Sequence, residues 1–374
     1  MKHVVVTGAD GLLGWHTLVR LHAANCMANF RGDPTPYKII PVNHSTFDDE
    51  ILLKSAMKGA ESILHFAAVN RSSSKDIELE NRNISYRLIE ACQAVNVNPH
   101  IVYANSIHAF TDTIYGISKR IAGEILESFS TRYTNLILPH IFGEGARPFY
   151  NNVTATLIHQ IIKNEVASIN PNGKVELLHA GRAAFEAINS INLEITGQVQ
   201  PEAKSFTVPD LFAKLKCFHE SYQANIYPSL SCPIDIELFN SYRFATFPDH
   251  WPRDLKMHSD LRGMLFEAVK GGSGGQTFIS TTKPGITRGN HFHLSKVERF
   301  LVVQGEAIIR IRKVMSSKVW EFRVSGEKPT AIDMPTLHTH SIENVGAVDL
   351  ITLFWTHDLF DPTNTDTYSD EVLS

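Results

Sequence analysis

Four residues with metal-binding side chains stand at a suggestive spacing in the last third of the chain. The stretch reads Gly285, five residues, His291-Phe292-His293, four residues, Glu298, six residues, Gly305. A further histidine, His340, follows Pro335 and lies four residues before Asn344. Two histidines at i and i+2 face the same side of a β-strand. A carboxylate a few residues on and a distant third histidine can close a site of nitrogen and oxygen ligands. His291, His293, Glu298 and His340 are therefore a candidate set for a divalent metal, zinc first. The bland alternative is a histidine-rich loop that holds no ion.

A second constellation sits near the start. The apolar strand His3–Thr7 runs into Thr7-Gly8-Ala9-Asp10-Gly11-Leu12-Leu13-Gly14 and then a helix. Gly8 and Gly11 permit a tight turn and close backbone approach to a pyrophosphate, and Gly14 lets the helix pack on the sheet. The helix N-terminus at Leu12 and Leu13 offers N–H donors and positive dipole character. Further on, Tyr115-Gly116-Ile117-Ser118-Lys119 puts a phenol and an amine on one helical face. A lysine cation beside a tyrosine is expected to lower the phenol below its usual ~10, making it a proton shuttle. Ser106 ends a strand upstream and can donate a hydrogen bond to a reacting oxygen. At the end of the second strand, Val42-Asn43-His44-Ser45 carries no Asp or Glu to hold a ribose 2′-hydroxyl. His44 could face a 2′-phosphate or simply stand on the surface. NADP(H) is expected ahead of NAD(H), with Asn43 and His44 at the ribose.

The rest of the chain bounds the answer. Its 374 residues predict two or three domains. Hydrophobic content of 43% with 20% charged residues describes an ordinary globular protein. A net charge of −4 gives no basic footprint for nucleic acid. No apolar run is long enough to span a membrane, and the N-terminus enters a strand too soon for a signal peptide. The four cysteines (Cys26, Cys92, Cys217, Cys232) are scattered, so a reducing cytoplasm is expected.

The elements that must carry these residues alternate at first. Strands are expected at His3–Thr7, Lys38–Val42, Ser62–Ala67, His100–Ala104 and Asn135–Pro139. Helices are expected at Leu12–Ala23, Ile84–Ala94 and Ser118–Phe129. That rhythm implies an α/β Rossmann-type parallel sheet. From about Phe278 short alternating strands predict an all-β barrel or sandwich. The division is expected near Tyr242–Pro252, giving a cofactor-binding domain at 1–245 and a metal-bearing domain at 246–374. The tail Asp358–Ser374 reads as polar and irregular.

On these motifs the first part resembles the extended short-chain dehydrogenase/reductases (SDRs). The resemblance implies catalytic roles for Ser106, Tyr115 and Lys119, with Lys119 also at the cofactor. It implies that Asn83 braces the active-site backbone and that Ala67 and Ala68, in His65-Phe66-Ala67-Ala68, line adenine and ribose. The aromatic-Val-Asp-Asp motif of those reductases has no match near Leu178-His179-Ala180-Gly181-Arg182. The last part resembles the cupins, metal-bearing β-barrels, with Leu337 where they usually have glycine. Asp260-Leu261-Arg262-Gly263 and Arg288-Gly289-Asn290-His291 also resemble metal-free deoxysugar epimerases of the cupin class. That likeness implies diphosphate binding by Arg262 and Arg288 and a base at His291. Ligand is favoured over base for His291, because His293, Glu298 and His340 complete a metal set. His338 and Glu343 are spare candidates for proton transfer.

Nearly the whole chain resembles the CapF-type bifunctional enzymes of capsular polysaccharide synthesis. The resemblance implies that the cupin inverts C3 of a UDP-linked 4-keto-6-deoxy-hexosamine. The reductase then delivers hydride to the C4 ketone, giving UDP-2-acetamido-2,6-dideoxy-β-L-talose or a close relative for capsule or O-antigen synthesis. A homodimer is expected. The alternative is a single-activity reductase whose cupin is a structural or dimerisation module. A cupin dioxygenase is a remoter one, since two His and a Glu suit Fe(II) as well as Zn(II).

Overall fold

The computed structural model describes residues 1–70 and 76–373. Its chain divides into two compact units. One comprises Met1–Phe142 with Lys174–Phe206, the other Gly143–Gly173 with Thr207–Ser374.

The first unit is built on a six-stranded parallel sheet. Its strands are β1 (Lys2–Thr7), β2 (Tyr37–Val42), β3 (Ser62–His65), β4 (His100–Ser106), β5 (Tyr133–Leu138) and an edge strand Gly197–Val199. The spatial order is β2-β1-β3-β4-β5 and then the edge strand. Val4, Val5 and Val6 are fully buried because helices cover both faces of the sheet. The strand order reverses beside β1, so the crevice between the carboxyl ends of β1 and β3 is the switch point where α/β folds take ligands. Helix α1 runs Leu12–Arg31, a full eight residues beyond the expected Ala23. Gly32 stops it in a left-handed conformation, its N–H closing on Ala28 and Asn29 carbonyls.

The second unit holds two five-stranded sheets. In one, Arg253–Asp254, Thr330–Met334, Glu298–Gln304, Leu350–Thr356 and Gln276–Thr282 lie in that order. In the other the order is Val319–Ser325, Glu306–Lys313, His338–Asn344, Thr287–Phe292 and Tyr368–Ser369. Their pairings are antiparallel, as an all-β cupin barrel requires. Phe300, Val302, Ile309, Ile311, Ile332 and Ile342 fill the space between the sheets.

The expected cut at 245 is corrected by these contacts. Helices Val153–Ile162, Val208–Gln223 and Pro233–Thr246 belong with the β strands. The reason is a buried charge on the barrel. Asp333 is fully buried and takes two hydrogen bonds from Arg299, at 2.5 and 2.9 Å. Tyr222 and Tyr227 donate to it as well, at 2.5 and 2.7 Å. Arg243 donates to the Met334 carbonyl at 2.6 Å and Trp251 Nε1 to the Asp333 carbonyl at 2.7 Å. A buried carboxylate needs such partners, and here the stretch before the barrel supplies two of the four hydrogen bonds, from Tyr222 and Tyr227. The tail is also more ordered than expected, since Tyr368–Ser369 pairs with His291 and Phe292.

Candidate functional site

The glycine loop stands at the switch point. Gly8 has φ +68, and a Cβ there would lie 2.8 Å from the Ala67 nitrogen, so only glycine lets β1 turn past β3. A Cβ on Gly14 would lie 2.1 Å from the Gly8 carbonyl, which fixes how closely α1 approaches the loop. Gly11 caps α1 with no side-chain hydrogen bond, and the first turn has no acid. The free N–H groups of Leu12 and Leu13 therefore suit an anion. Thr7 Oγ1 pairs with His65 Nδ1 at 2.7 Å and accepts from the Phe66 and Ala67 N–H groups at 3.2 and 3.3 Å. That clamp sets the backbone of Ala67 beside Gly8. Asn43 is committed to capping the helix His44–Asp48, accepting from Thr46 N–H. His44 is exposed, with Nε2 3.3 Å from Asp48. These residues fit a dinucleotide through backbone donors, with no buried side chain choosing between NAD(H) and NADP(H).

Ser106, at the end of β4, hydrogen-bonds the Tyr115 phenol. Tyr115 and Lys119 lie on the helix Ile114–Phe129. Lys119 is 3% exposed, its Nζ donating to the Ala104 carbonyl at 2.6 Å and lying 4.1 Å from the centre of the Tyr103 ring. Burial drives its pKa down to about 7. The expectation that Lys119 lowers Tyr115 is corrected: burial raises the phenol, and only the Ser106 hydrogen bond opposes it. The lysine is held by a carbonyl and is itself desolvated, so it lends the phenol little charge.

Asn83 is also corrected. Its side chain is exposed, whereas Asn81 is buried. Asn81 accepts from Val69 N–H at 2.8 Å, donates to the Val69 carbonyl at 3.0 Å and donates to Ser118 Oγ at 3.1 Å. It ties the segment after β3 to the helix of Tyr115 and Lys119, the bracing role that Asn83 was expected to play.

In the second unit His291, His293, Glu298 and His340 converge. One donor atom from each lies within 4.8 Å of all the others. A register shift between Gly289 and His291 turns the strand. Gly289, at φ +94, passes so close that a Cβ would lie 2.8 Å from the His340 carbonyl. Leu337, where the motif usually has glycine, adopts φ 60 while fully buried. The position demands a left-handed residue, and this chain holds a leucine there by burial.

The tautomers decide what the cluster can hold. His293 Nδ1 faces the Asp366 carbonyl, which can only accept, so Nδ1 carries the hydrogen. Its Nε2 then points a lone pair at Glu298 Oε2, 3.2 Å away. His340 repeats the pattern, with Nδ1 toward the His338 carbonyl at 3.3 Å and Nε2 3.4 Å from the same oxygen. His340 Nε2 is buried without a hydrogen-bond partner of good geometry. Two imidazole lone pairs aimed at one carboxylate oxygen need protons or a cation between them. The donor set fits a divalent metal of the zinc or iron type. Without one, burial would raise Glu298, but His293 and His340 hold it well below the usual carboxylate range. Burial and His340 push His291 down.

The other expected residues lie apart. Arg262 is at the tip of an exposed hairpin, paired with Asp260. Arg288 donates to Thr282 Oγ1 at 3.0 Å and to the Thr281 carbonyl at 3.1 Å. Glu343 is taken by Arg310 at 2.6 Å. His338 is buried against Phe244 and Phe247, its pKa pushed down to about 3 by burial. Neither Glu343 nor His338 is free for proton transfer. Asp333 and Asp366 were missed because each acts on residues far off in the sequence, and Asn81 because only packing tells which face of its helix is buried.

Fold and site together define a short-chain-type reductase joined to an all-β domain with a candidate metal site. Residues 4–188 match the NAD dependent epimerase/dehydratase family and residues 258–368 the polysaccharide biosynthesis C-terminal domain. A UDP-2-acetamido-2,6-beta-L-arabino-hexul-4-ose reductase of Pseudomonas aeruginosa is 30% identical, over 99% of this chain and 98% of that protein. The crystal structure of the capsular polysaccharide assembling protein CapF of Staphylococcus aureus is similar across 99% of this chain and 100% of its own. Its TM-score is 0.58 and its identity 29%. A dTDP-4-dehydrorhamnose reductase of Bacillus anthracis shares the fold of the first part, with TM-score 0.50 and 17% identity over 59% of this chain and 82% of its own. The chain belongs to the CapF-like family of nucleotide-sugar reductases. It is an oxidoreductase of polysaccharide biosynthesis that uses a nicotinamide cofactor. Among the described residues no helix is long and apolar enough to cross a membrane.

Proposed function

We propose that this enzyme performs two steps on a UDP-linked 4-keto-6-deoxy-hexosamine. The β domain inverts C3, and the α/β domain then reduces the C4 ketone. The product is UDP-2-acetamido-2,6-dideoxy-β-L-talose or a close relative. The full-length similarity to a UDP-sugar 4-ulose reductase supports the substrate class. The observation that carries a chemical role for the β domain is the pair of imidazole lone pairs converging on Glu298.

In the reductase, the glycine loop and the N-terminus of α1 bind the dinucleotide. The nicotinamide, when bound, supplies hydride. Ser106 donates a hydrogen bond to the ketone oxygen, and Tyr115 gives that oxygen its proton as hydride arrives. The upward push on the phenol keeps it protonated and ready to donate at neutral pH. Asn81 holds the helix that aims Tyr115.

In the β domain, a 4-ketone acidifies the proton at C3, and inversion needs removal and return of that proton on opposite faces. His291, His293, Glu298 and His340 would hold a divalent ion, whose chemistry there is to polarise the ketone as a Lewis acid. Arg262 and Arg288 are proposed to meet the diphosphate. Zinc, NADP(H) and a homodimer belong to the same reading.

The test uses two variants and one substrate. Tyr115→Phe should still release the C3 proton to solvent but form no 4-hydroxy product. His340→Ala should release no C3 proton yet still reduce a substrate already inverted at C3. If one substitution abolishes both steps in a folded protein that binds cofactor and metal, the two-site division is wrong.

A further inference from the structure

We infer that Asp366 makes the C-terminal segment a clasp that closes on the metal centre, so that metal affinity and closure of this segment are coupled. The inference rests on the metal reading above and adds a residue and a behaviour to it.

Asp366 does two things at once. Its backbone carbonyl accepts from His293 Nδ1, which fixes the tautomer and turns the Nε2 lone pair inward. Its carboxylate accepts from the N–H groups of Leu294 at 2.8 Å, Ser295 at 2.9 Å and Lys296 at 2.9 Å, and from Ser295 Oγ at 2.9 Å. Those amides form the turn between His293 and Glu298. One side chain thus sets the relative position of two ligands that approach each other to 3.2 Å. Asp366 adopts φ 43, a conformation aspartate tolerates better than most residues.

Its neighbours extend the grip. Lys296 Nζ donates to the Thr365 carbonyl at 2.7 Å. Tyr368 and Ser369 pair with Phe292 and His291, and Phe292 stacks on Tyr368 with ring centres 5.3 Å apart. The Asp370 N–H donates to the Asn290 carbonyl at 2.9 Å. Every residue from Asn290 to Phe292 and from His293 to Lys296 is therefore held by the stretch 365–370, while Leu359 and Phe360 just before it are exposed. Arg312 and Thr339 hold the end of the segment, at residues 370–372, so it is the stretch 365–369, fastened through the ligand-bearing loop, that should loosen when the ligands lose their ion. Linkage then requires the reverse: loosening the segment must weaken the ion.

Asp366 is a positioning residue, and its test does not depend on turnover. Full-length protein is stripped of metal and titrated with zinc against a competing chelator, for the parent, Asp366→Ala and Asp366→Asn. Outer partners of metal ligands are typically worth about 10–100-fold in affinity. Asp366→Ala should lose affinity in that range. Asp366→Asn keeps the carbonyl and most of the shape, so it should lose less. Hydrogen exchange in peptides covering 361–373 should slow on adding zinc to the parent and change little in Asp366→Ala. Parent-like zinc affinity in both variants, or exchange in 361–373 blind to zinc in the parent, overturns the clasp. If Asp366→Ala does not fold, Asp366→Asn decides alone. If the parent binds no zinc or other divalent ion, the metal reading itself fails, a different result from either of these.

Discussion

Replacing Lys119 by methionine should make the cofactor-free protein more stable while ending ketone reduction. Burial lowers the Lys119 pKa from 10.5 to about 7. At ~1.36 kcal/mol per unit, that is ~5 kcal/mol against the charged form. The folded pKa lies below the unfolded one, so the unfolded chain binds more protons between pH 7 and 10.5. Stability therefore rises with pH through that window. The penalty is nearly full at pH 7 and falls to about a third of that by about pH 9.5. The substitution also removes the hydrogen bond from Nζ to the Ala104 carbonyl, worth ~1.5–3 kcal/mol for a charged donor. The net expectation for Lys119→Met is a gain of ~1–3 kcal/mol at neutral pH, vanishing toward pH 9.5. The assay is hydrogen exchange under increasing urea in peptides covering β4, which report the stability of the parallel sheet itself. A variant less stable than the parent at pH 7 would refute the reasoning. So would a stability difference that stays flat with pH.

Three further outcomes are expected. Tyr115→Phe should lower reduction by at least ~100-fold, the usual scale for a lost general acid, with dinucleotide affinity within about two-fold of the parent by calorimetry. Asp333→Ala should cost ~3–5 kcal/mol in the second unit, because it leaves Arg299 buried and uncompensated; a melting temperature within a degree or two of the parent would contradict this. His340→Ala should lower metal content and the melting temperature of the β domain, while nicotinamide-cofactor binding persists; unchanged metal content would assign the site to other ligands.

Much of this was legible in the sequence where function depends on local spacing. Gly8, Gly11 and Gly14 sit within one strand–turn–helix, and His291, His293 and Glu298 within eight residues. What failed depended on phase or on distance. Asn81 and Asn83 differ by two residues, which is roughly 200° around a helix, so only the helix's true packing tells which one is buried. The sequence alone expected that helix to start at Ile84, whereas its described part begins at Asp76. The division at 245 failed because Asp333 recruits Tyr222 and Tyr227 from across some hundred positions. Asp366 was invisible for the same reason, since its partners lie about seventy residues earlier. The tyrosine–lysine pair was found, but its electrostatics were not, because burial outweighs proximity there. Leu337 was read as a departure from the motif. Its φ of 60 explains why glycine would be usual there.

The central claim is that two sites act in turn on one sugar. Its most direct test is incubation of the metal-loaded enzyme with a UDP-linked 4-keto-6-deoxy-hexosamine in deuterated water, followed by NMR. Without reduced cofactor, the account predicts deuterium at C3 and no new carbinol proton at C4. With NADPH it predicts a 4-hydroxy product that carries deuterium at C3. Reduction to a product with the original hydrogen and configuration at C3 would contradict it, leaving a reductase whose β domain has no part in the chemistry.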